Sequence, residues 1–489
     1  MLMLSRPLVI LALGFLACSA RAGSEILINQ TTVLDQERPV LAQLTNGTMV
    51  AAWESETGAV SSIWFRHFPA MGAIFGTEQL VFQAAGQDQS SPSLAALSDG
   101  RFVIGWSRRN GDDSDYSVAI RRYEANGIPM SGTPEQANVL TNGPQFQPQL
   151  AALPGAQFVA VWVAQTNGTD QDVFFRRFSV ATGAVDPVEV PANRLGIASV
   201  GAGEQGSPRV AALRDGGFVI VYEDRETARI FGVRFNAAGA AVDVPGAAGG
   251  TKQFLISTNT AFECSDPAVG ALTNGGFVVA MTAAASNATT NRLVKARVFS
   301  SAGVGGAEFT IGSHAGRWEE PKVVGLPNGE FAVAWQATGE GVDAASGAWS
   351  VWAQRFNAAG TPRLAPFMVN QFNTNQQRRV ALAPLSNSGY ASAWQSFSQD
   401  GDRYGVVARA FDPDNEIPGQ LFLTRTGTPA QRQFNLNFIG MPGRTHLLQA
   451  SSNLTSWATV LTTNPPAGTF SYPENGSNVL NRAFRVQTP

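Results

Sequence analysis

The chain has 489 residues, a formal net charge of −3 and 15% charged side chains. This mildly acidic balance argues against nucleic acid as a partner, because phosphate binding requires concentrated lysine and arginine. The chain has two cysteines and three histidines. Cys18 lies in the N-terminal segment that we predict below to be cleaved, and Cys264 alone with three histidines can build neither a Cys₄ nor a Cys₂His₂ metal site.

The N-terminus has the pattern of a secretory signal peptide. Arg6 precedes an apolar run at residues 8–17, and residues 20–22 read Ala-Arg-Ala, which matches an A-x-A cleavage site. We therefore predict a signal peptide over residues 1–22 and a mature protein that is secreted, cell-surface or periplasmic. Because the apolar run is shorter than the roughly 20 residues that cross a bilayer, we predict no transmembrane segment. Lipid attachment at Cys18 is left open as an alternative.

One phrase, P-x-V-A-A-L-x-D/N-G-x-F-V-V-x-W, returns along the chain. Its seven copies occupy residues 39–53, 92–106, 148–162, 208–222, 267–281, 321–335 and 380–394. Within a copy, two apolar runs flank a turn pair, most often Asn-Gly or Asp-Gly, which is typical of a type I′ hairpin turn. A third run that ends in an aromatic residue follows, and then a short fourth run. Each repeat therefore predicts four antiparallel strands.

Seven such repeats without an intervening helix predict an all-β fold, namely a seven-bladed β-propeller over residues 23–420. A linear β-solenoid is the structural alternative, but its coils are usually about 20 to 30 residues long, whereas these repeats are spaced by 53 to 60. The run at residues 26–29 has no hairpin partner of its own. We predict that it lies beside residues 405–411 as the outermost strand and closes the ring. Residues 421–423 are the competing closing strand.

The phrase Q-x-x-P-x-V-A-A-L-x-D-G-x-F-V-V-x-W, followed by R-F-x-x-x-G, resembles tandem repeats of large secreted and surface proteins of bacteria, which are taken to form β-propellers. This resemblance covers residues 24–420 and implies no shared catalytic residues. The tail, which contains FNLNFIGMPGRTHLLQASSNLTSWATV, resembles an accessory β-domain at the C-terminus of exported bacterial proteins. It implies a small β-sandwich-like domain over residues 421–489, with Trp457 and Phe484 in its core.

The candidate binding residues lie three positions before the repeat proline, where the chain enters the first strand. They are Gln36, Gln89, Gln145, Gln205 and Gln377, with Cys264 and Trp318 at the two exceptions. In a closed ring we expect these side chains to encircle one mouth of the central channel. Uncharged donors and acceptors beside Trp318 suit a neutral polar ligand such as a glycan. The alternative is that the amides bridge neighbouring blades.

The sequence contains no H-E-x-x-H, G-x-S-x-G, Walker or EF-hand motif, so we predict no catalytic residues and no cofactor. Acidic clusters at residues 112–115, 170–172, 400–402 and 412–416 leave calcium open, but none has the full ligand spacing.

We therefore predict a monomeric, non-enzymatic binding or scaffold protein for a glycan or an extracellular protein. The alternative is a secreted polysaccharide-degrading hydrolase or lyase on a propeller scaffold. Two carboxylates at the channel mouth, about 5 to 10 Å apart, would favour the alternative.

Overall fold

The computed structural model of the protein is all-β, as predicted, with no helix in the described residues. Those residues are 25–56, 58, 60–69, 76–82, 86–109, 115–167, 170–193, 203–245, 252–285, 291–312, 316–338, 347–363, 365–372, 374–411, 420–426, 433–439, 445–453, 455–464, 469–475 and 482–487. The predicted signal peptide and Cys18 lie outside them. No helix long and apolar enough to cross a membrane occurs in the described ranges.

Each repeat forms one antiparallel sheet, and the sheets are numbered here in chain order. Strand β1 (Ile26–Leu27) comes before all of them. Sheet 1 contains β2 (Gln36–Gln43), β3 (Thr48–Glu56), β4 (Ser61–Pro69) and β5 (Gln79–Leu80). Sheet 2 contains β6 (Gln89–Ala96), β7 (Phe102–Arg109), β8 (Tyr116–Tyr123) and β9 (Glu135–Gln136). Sheet 3 contains β10 (Gln145–Leu153), β11 (Gln157–Asn167), β12 (Asp170–Ser179), β13 (Gly183–Ala184) and β14 (Val190–Pro191).

The remaining repeats follow the same order. Sheet 4 contains β15 (Gln205–Ala212), β16 (Phe218–Asp224), β17 (Arg229–Phe235), β18 (Ala241–Val242) and β19 (Gln253–Leu255). Sheet 5 contains β20 (Phe262–Ala271), β21 (Phe277–Ala285), β22 (Arg292–Phe299) and β23 (Phe309–Ile311). Sheet 6 contains β24 (Trp318–Gly325), β25 (Phe331–Thr338), β26 (Trp349–Phe356) and β27 (Phe367–Met368). Sheet 7 contains β28 (Gln377–Pro384), β29 (Tyr390–Phe397) and β30 (Tyr404–Phe411), with β1 beside β30.

The first strands of the repeats, called the inner strands, contact one another in sequence. They are β2, β6, β10, β15, β20, β24 and β28, and β28 in turn contacts β2. The sheets therefore follow one another around a closed ring. Aromatic residues fill the space between the outer parts of neighbouring sheets, for example Phe65 of sheet 1 at 5.0 Å from the ring of Tyr123 in sheet 2.

The hairpin turns differ from the predicted type I′. In the first repeat, the Gly47 N–H donates to the Leu44 carbonyl at 2.9 Å and the Leu44 N–H donates to the Thr48 carbonyl at 2.8 Å. Gly47 has a φ of 87°, whereas Asn46 does not adopt a positive φ. This is a three-residue loop, a type I turn followed by a left-handed glycine, which needs positive φ at one position instead of two.

The prediction for the closing strand is confirmed. Ile26 pairs with Ala408 and Leu27 with Val407, antiparallel to β30, and the Ile28 N–H donates to the Val406 carbonyl at 2.7 Å. The competing segment at residues 421–423 lies in β31 (Gln420–Thr426), which pairs with β32 (Gln433–Ile439). The N-terminal segment thus covers the edge that sheet 7 would otherwise expose.

Every inner strand carries a β-bulge at the position just before the repeat proline, or before Val380 in sheet 7. The bulge residues are Arg38, Ser91, Gln147, Ser207, Asp266, Glu320 and Arg379, with φ values between 49° and 56°. A bulge leaves one residue out of the ladder. The N–H groups of these residues are therefore available to partners outside their own sheet.

Those N–H groups bond to the preceding sheet. The acceptor is the side chain just after the last residue of the repeat phrase in that sheet's second strand. The pairs are Arg38 to Gln395, Ser91 to Glu54, Gln147 to Ser107, Asp266 to Glu223, Glu320 to Thr282 and Arg379 to Gln336. We call these bonds the sheet latches. Val163 stands at the equivalent place before Ser207, and its side chain offers no acceptor. The Gln395 latch joins sheet 7 to sheet 1 by the same bond that joins the others.

Residues 411–489 belong to a second compact unit, separate from residues 23–410. One of its sheets has the order β31, β32, β35 (Thr469–Asn475), and the other has the order β34 (Ala458–Thr463), β33 (His446–Ser451), β36 (Ala483–Gln487). Trp457 and Phe484 are half-buried, and the Arg485 guanidinium lies 4.3 Å from the Trp457 ring centre. The domain boundary at residue 420 stays a prediction.

Deleting residues 23–29 should destabilise the ring. The deletion exposes the edge of β30 and removes the fully buried Ile28, whose burial alone is worth about 2 kcal/mol. We expect a lower melting temperature and concentration-dependent aggregation relative to a chain that begins at Gly23. Scanning calorimetry and light scattering measure both, and equal melting temperatures would show that the strand does not close the ring.

Removing one sheet latch should also destabilise the ring. Gln395→Met leaves the N–H of Arg38 without its acceptor, which should cost about 1–3 kcal/mol of unfolding free energy. Gln79→Met, at an exposed strand position, is the matched control. Urea unfolding of the two variants tests this, and an equal loss in both would argue against the latch.

Candidate functional site

The inner strands enclose a cavity of about 880 Å³. Its lining includes all the bulge residues and the residues two positions after them, Val40, Ser93, Gln149, Arg209, Ala268, Lys322 and Ala381. The lining contains four basic residues, Arg38, Arg209, Lys322 and Arg379, and three acidic ones, Asp115, Asp266 and Glu320. The cavity thus concentrates charge in a chain that has few charged residues.

Two carboxylates occupy the same position on neighbouring inner strands. Asp266 is the bulge residue of β20 and Glu320 is that of β24, and these strands contact each other. A Glu320 oxygen lies 3.0 Å from the Arg379 guanidinium, and Asp266 accepts a hydrogen bond of 3.0 Å from the Ser265 hydroxyl. Their N–H groups are held by sheet latches, so the backbone that carries each carboxylate is bonded both within its own sheet and to the preceding sheet.

Sequence reasoning missed this pair, although a signal was present. The residue before the repeat proline reads Arg, Ser, Gln, Ser, Asp and Glu along the first six copies. The repeat phrase does not indicate a bulge at this position. Without a bulge, the variation of the residue before the proline resembles ordinary variation along a strand.

Two further cations lie next to the carboxylates. Arg209 of β15 and Lys322 of β24 line the cavity on either side of Ala268 of β20. Burial lowers the pKa of Lys322 to about 8, and the positive charge of Arg209 acts in the same direction. The pKa of Arg209 is also lowered, again chiefly by burial. The surroundings therefore disfavour the charged form of both side chains.

The other two basic residues of the lining are neutralised. Arg38 forms an ion pair of 2.7 Å with Glu54, whose pKa is raised because burial outweighs the attraction of Arg38. Arg379 is paired with Glu320. Arg38 and Arg379 thus have ion-pair partners, whereas Arg209 and Lys322 have none in the described part of the chain.

The six predicted binding residues lie inside the sheets, and their expected place at the channel mouth is corrected. Gln36, Gln89, Gln145, Gln205, Trp318 and Gln377 are all buried, at most 4% exposed, and none belongs to the cavity lining. Their amides bond locally, as when the Trp53 indole N–H donates to Gln36 at 3.3 Å and that of Trp394 donates to Gln377 at 3.2 Å. Trp318 stacks on Trp335 at 5.1 Å.

The other polar candidates are also engaged within the fold. Burial raises the pKa of the Cys264 thiol to about 11. Asp400 accepts from the Asn29 amide at 2.8 Å, and Asp402 accepts from the Leu34 N–H at 2.9 Å. Residues 112–114 and 412–416 lie outside the described ranges. Within those ranges, no group of three or more His, Cys, Asp or Glu side chains is placed to hold a metal ion.

No family model and no curated protein matches the chain. Solved structures that are similar to it include a protein of unknown function from Dyadobacter fermentans, with 10% identity, a TM-score of 0.46, and coverage of 81% of this chain and 99% of that one. An α-L-arabinanase from Penicillium chrysogenum has 14% identity, a TM-score of 0.43 and coverages of 81% and 98%. An intramolecular trans-sialidase from Ruminococcus gnavus has 10% identity, a TM-score of 0.40 and coverages of 79% and 96%.

These neighbours correct the functional prediction. The hypothesis of a non-enzymatic binding or scaffold protein is contradicted by this comparison, because similar structures with a stated activity include sialidases, an arabinanase and an arabinofuranosidase. They agree better with the alternative, a hydrolase on a propeller scaffold. At such identities and TM-scores the likeness assigns neither a reaction nor a substrate to this chain.

The lowered pKa of Lys322 predicts a pH-dependent stability. Between pH 8 and the ordinary lysine pKa of about 10.4, the unfolded chain keeps a proton on Lys322 that the folded chain, with a pKa of about 8, has released. The unfolded state then binds more protons, so the contribution of Lys322 to stability rises with pH. Urea unfolding of the wild type and Lys322→Met across this window measures it. A constant difference between the two would contradict the prediction.

Proposed function

We propose that the protein is a glycoside hydrolase whose active site is the central cavity, with Asp266 and Glu320 as its pair of catalytic carboxylates. The observation that carries the proposal is their placement, at equivalent bulges on adjacent inner strands and facing one cavity. Glycoside hydrolysis generally needs two carboxyl groups on either side of the scissile bond. This pair is contributed by two sheets that are latched to their neighbours.

The surroundings of the two groups suggest different roles. The Arg379 guanidinium orients Glu320 and balances its negative charge, which suits the carboxylate that activates water or attacks the anomeric carbon. Asp266 forms no ion pair within the described part of the chain, so we assign it the other role, that of the acid that protonates the leaving oxygen. In the reaction, the proton of Asp266 passes to the glycosidic oxygen as the bond from that oxygen to the anomeric carbon breaks. Either a water that gives its proton to Glu320 bonds to the anomeric carbon, or Glu320 itself does and water then hydrolyses the glycosyl-enzyme.

The latches supply the rigidity that this chemistry requires. The Asp266 N–H is bound by Glu223 at 2.7 Å and the Glu320 N–H by the Thr282 hydroxyl at 3.1 Å. Catalytic groups must be held within a fraction of an ångström of their productive positions, and sites on strands achieve this better than sites on loops. Two bulges fixed across sheet junctions meet that requirement.

We propose a corresponding architecture for the whole chain. The seven sheets are the blades of a β-propeller, and residues 421–489 form a β-sandwich-like accessory domain. The signal pattern of residues 1–22 and the resemblance to bacterial surface repeats support export, which would bring the enzyme to extracellular glycans. The ring of inner-strand contacts supports the propeller.

Conservative substitution of the two carboxylates tests the proposal. Asp266→Asn and Glu320→Gln should each lower the rate of glycoside hydrolysis by about 100-fold or more, measured on a panel of aryl glycosides and polysaccharides. Glu124→Gln, an exposed carboxylate outside the cavity lining, is the control, and melting temperatures show that each variant is folded. Wild-type rates in both variants, or a wild type that hydrolyses no member of the panel, would refute the proposal.

A further inference from the structure

We propose that the cavity binds an acidic sugar, whose carboxylate lies over Ala268 between the guanidinium of Arg209 and the ammonium of Lys322. The choice of a sugar rests on the proposed function, whereas the requirement for a negative charge rests on the cavity alone. Three adjacent inner strands, β15, β20 and β24, supply the cation, the small side chain and the second cation at equivalent positions.

The first argument is that these two cations lack a counterion. Arg209 donates to the Pro208 carbonyl at 2.8 Å and forms no ion pair with any described residue. Lys322 has neither a hydrogen-bond nor an ion-pair partner in the described ranges. Basic groups that are removed from bulk water normally have an anionic partner, because an unpaired charge there is costly.

The second argument is that the nearby acids do not provide that partner. Asp266 and Glu320 attract both cations from a distance, and Glu223 attracts Arg209. Glu320 is paired with Arg379, Glu223 accepts from the Ser207 hydroxyl and the Asp266 N–H, and Asp266 is outside ion-pair range of both cations. The two cations therefore line the cavity without an ion-pair partner among the described residues, although three carboxylates are close.

The third argument is shape. Ala268 is the smallest of the residues at its position in the ring, together with Ala381, and it lies between the two long basic side chains. A carboxylate placed there can accept from both cations, and a guanidinium is well suited to its two oxygens. The cavity of about 880 Å³ falls within the usual range for small-ligand sites, about 300–1,000 Å³. Ser93 and Gln149 elsewhere in the lining can bond to sugar hydroxyls.

Binding to sugars that have no glycosidic bond tests the inference separately from hydrolysis. The probes are glucuronate, galacturonate and N-acetylneuraminate, each compared with its own methyl ester by titration calorimetry at low salt. At least one acid should bind about tenfold more tightly than its ester. Arg209→Gln and Lys322→Met should each abolish that preference, whereas Lys322→Arg should retain it.

Arg214→Gln, an exposed arginine outside the cavity lining, is the matched control and should bind as the wild type does. The inference is overturned if every ester binds as well as its acid, if no acid binds, or if the preference survives in both cavity variants. Hydrolysis of neutral glycosides alone would keep the proposed function and overturn the acidic substrate. Selective binding of an acid without hydrolysis of any glycoside would keep the acidic ligand and overturn the proposed enzyme.

Discussion

The β-bulge of each inner strand is the constraint on which both the ring and the cavity depend. It releases one N–H from the ladder of its own sheet, and in six of the seven repeats a side chain of the preceding sheet accepts that N–H. The same residue lines the cavity. The bulge costs conformational energy, and the hydrogen bond to the preceding sheet offsets that cost. As a consequence, the side chain of the bulge residue is held in the cavity lining.

Two further sets of polar contacts join the outer parts of the sheets. In five repeats, an arginine two residues before the aromatic end of the third strand donates to a carbonyl of the preceding sheet's outermost segment; these pairs are Arg66 to Ile28, Arg121 to Val81, Arg176 to Ala137, Arg297 to Ile256 and Arg409 to Val369. At four junctions a glutamate accepts from two consecutive N–H groups of the preceding sheet, as Glu78 does from Gln30 and Thr31. Because Ile28, Gln30 and Thr31 take part, the N-terminal segment is bound like any other outer strand.

The fold was predictable because the repeat phrase encodes it locally. Apolar runs of fixed length, a turn between them and an aromatic end define each sheet, and seven copies in phase leave little freedom in the order of strands. The orphan run at residues 26–29 identified the closing strand for the same reason. The turn type was not predictable from the Asn-Gly pair alone, since that pair also fits a three-residue loop with one left-handed glycine.

The site was not predictable because the bulge changes the alternation of side chains. Gln36 pairs with Ser55, and Val40 pairs with Ala52, so the extra residue between them places Gln36 and Val40 on opposite faces of the strand. Gln36 consequently shares a face with Trp53 and bonds to its indole. Counting from the proline without the bulge assigned the wrong side chains to the cavity, and the same error was repeated in every copy of the phrase.

Variation among the repeats separates structural positions from chemical ones. Where the phrase builds the sheets, its copies agree: proline begins six of them, and a large side chain ends all seven. At the bulge and two residues later the copies diverge, from serine to glutamate and from alanine to lysine. These are the positions that face the cavity. A ring of equivalent sheets requires no such divergence, and pairing Arg209 with Lys322 raises the electrostatic energy of the folded state. Folding stability does not account for two cations there that are unpaired among the described residues, whereas the acidic ligand proposed above does.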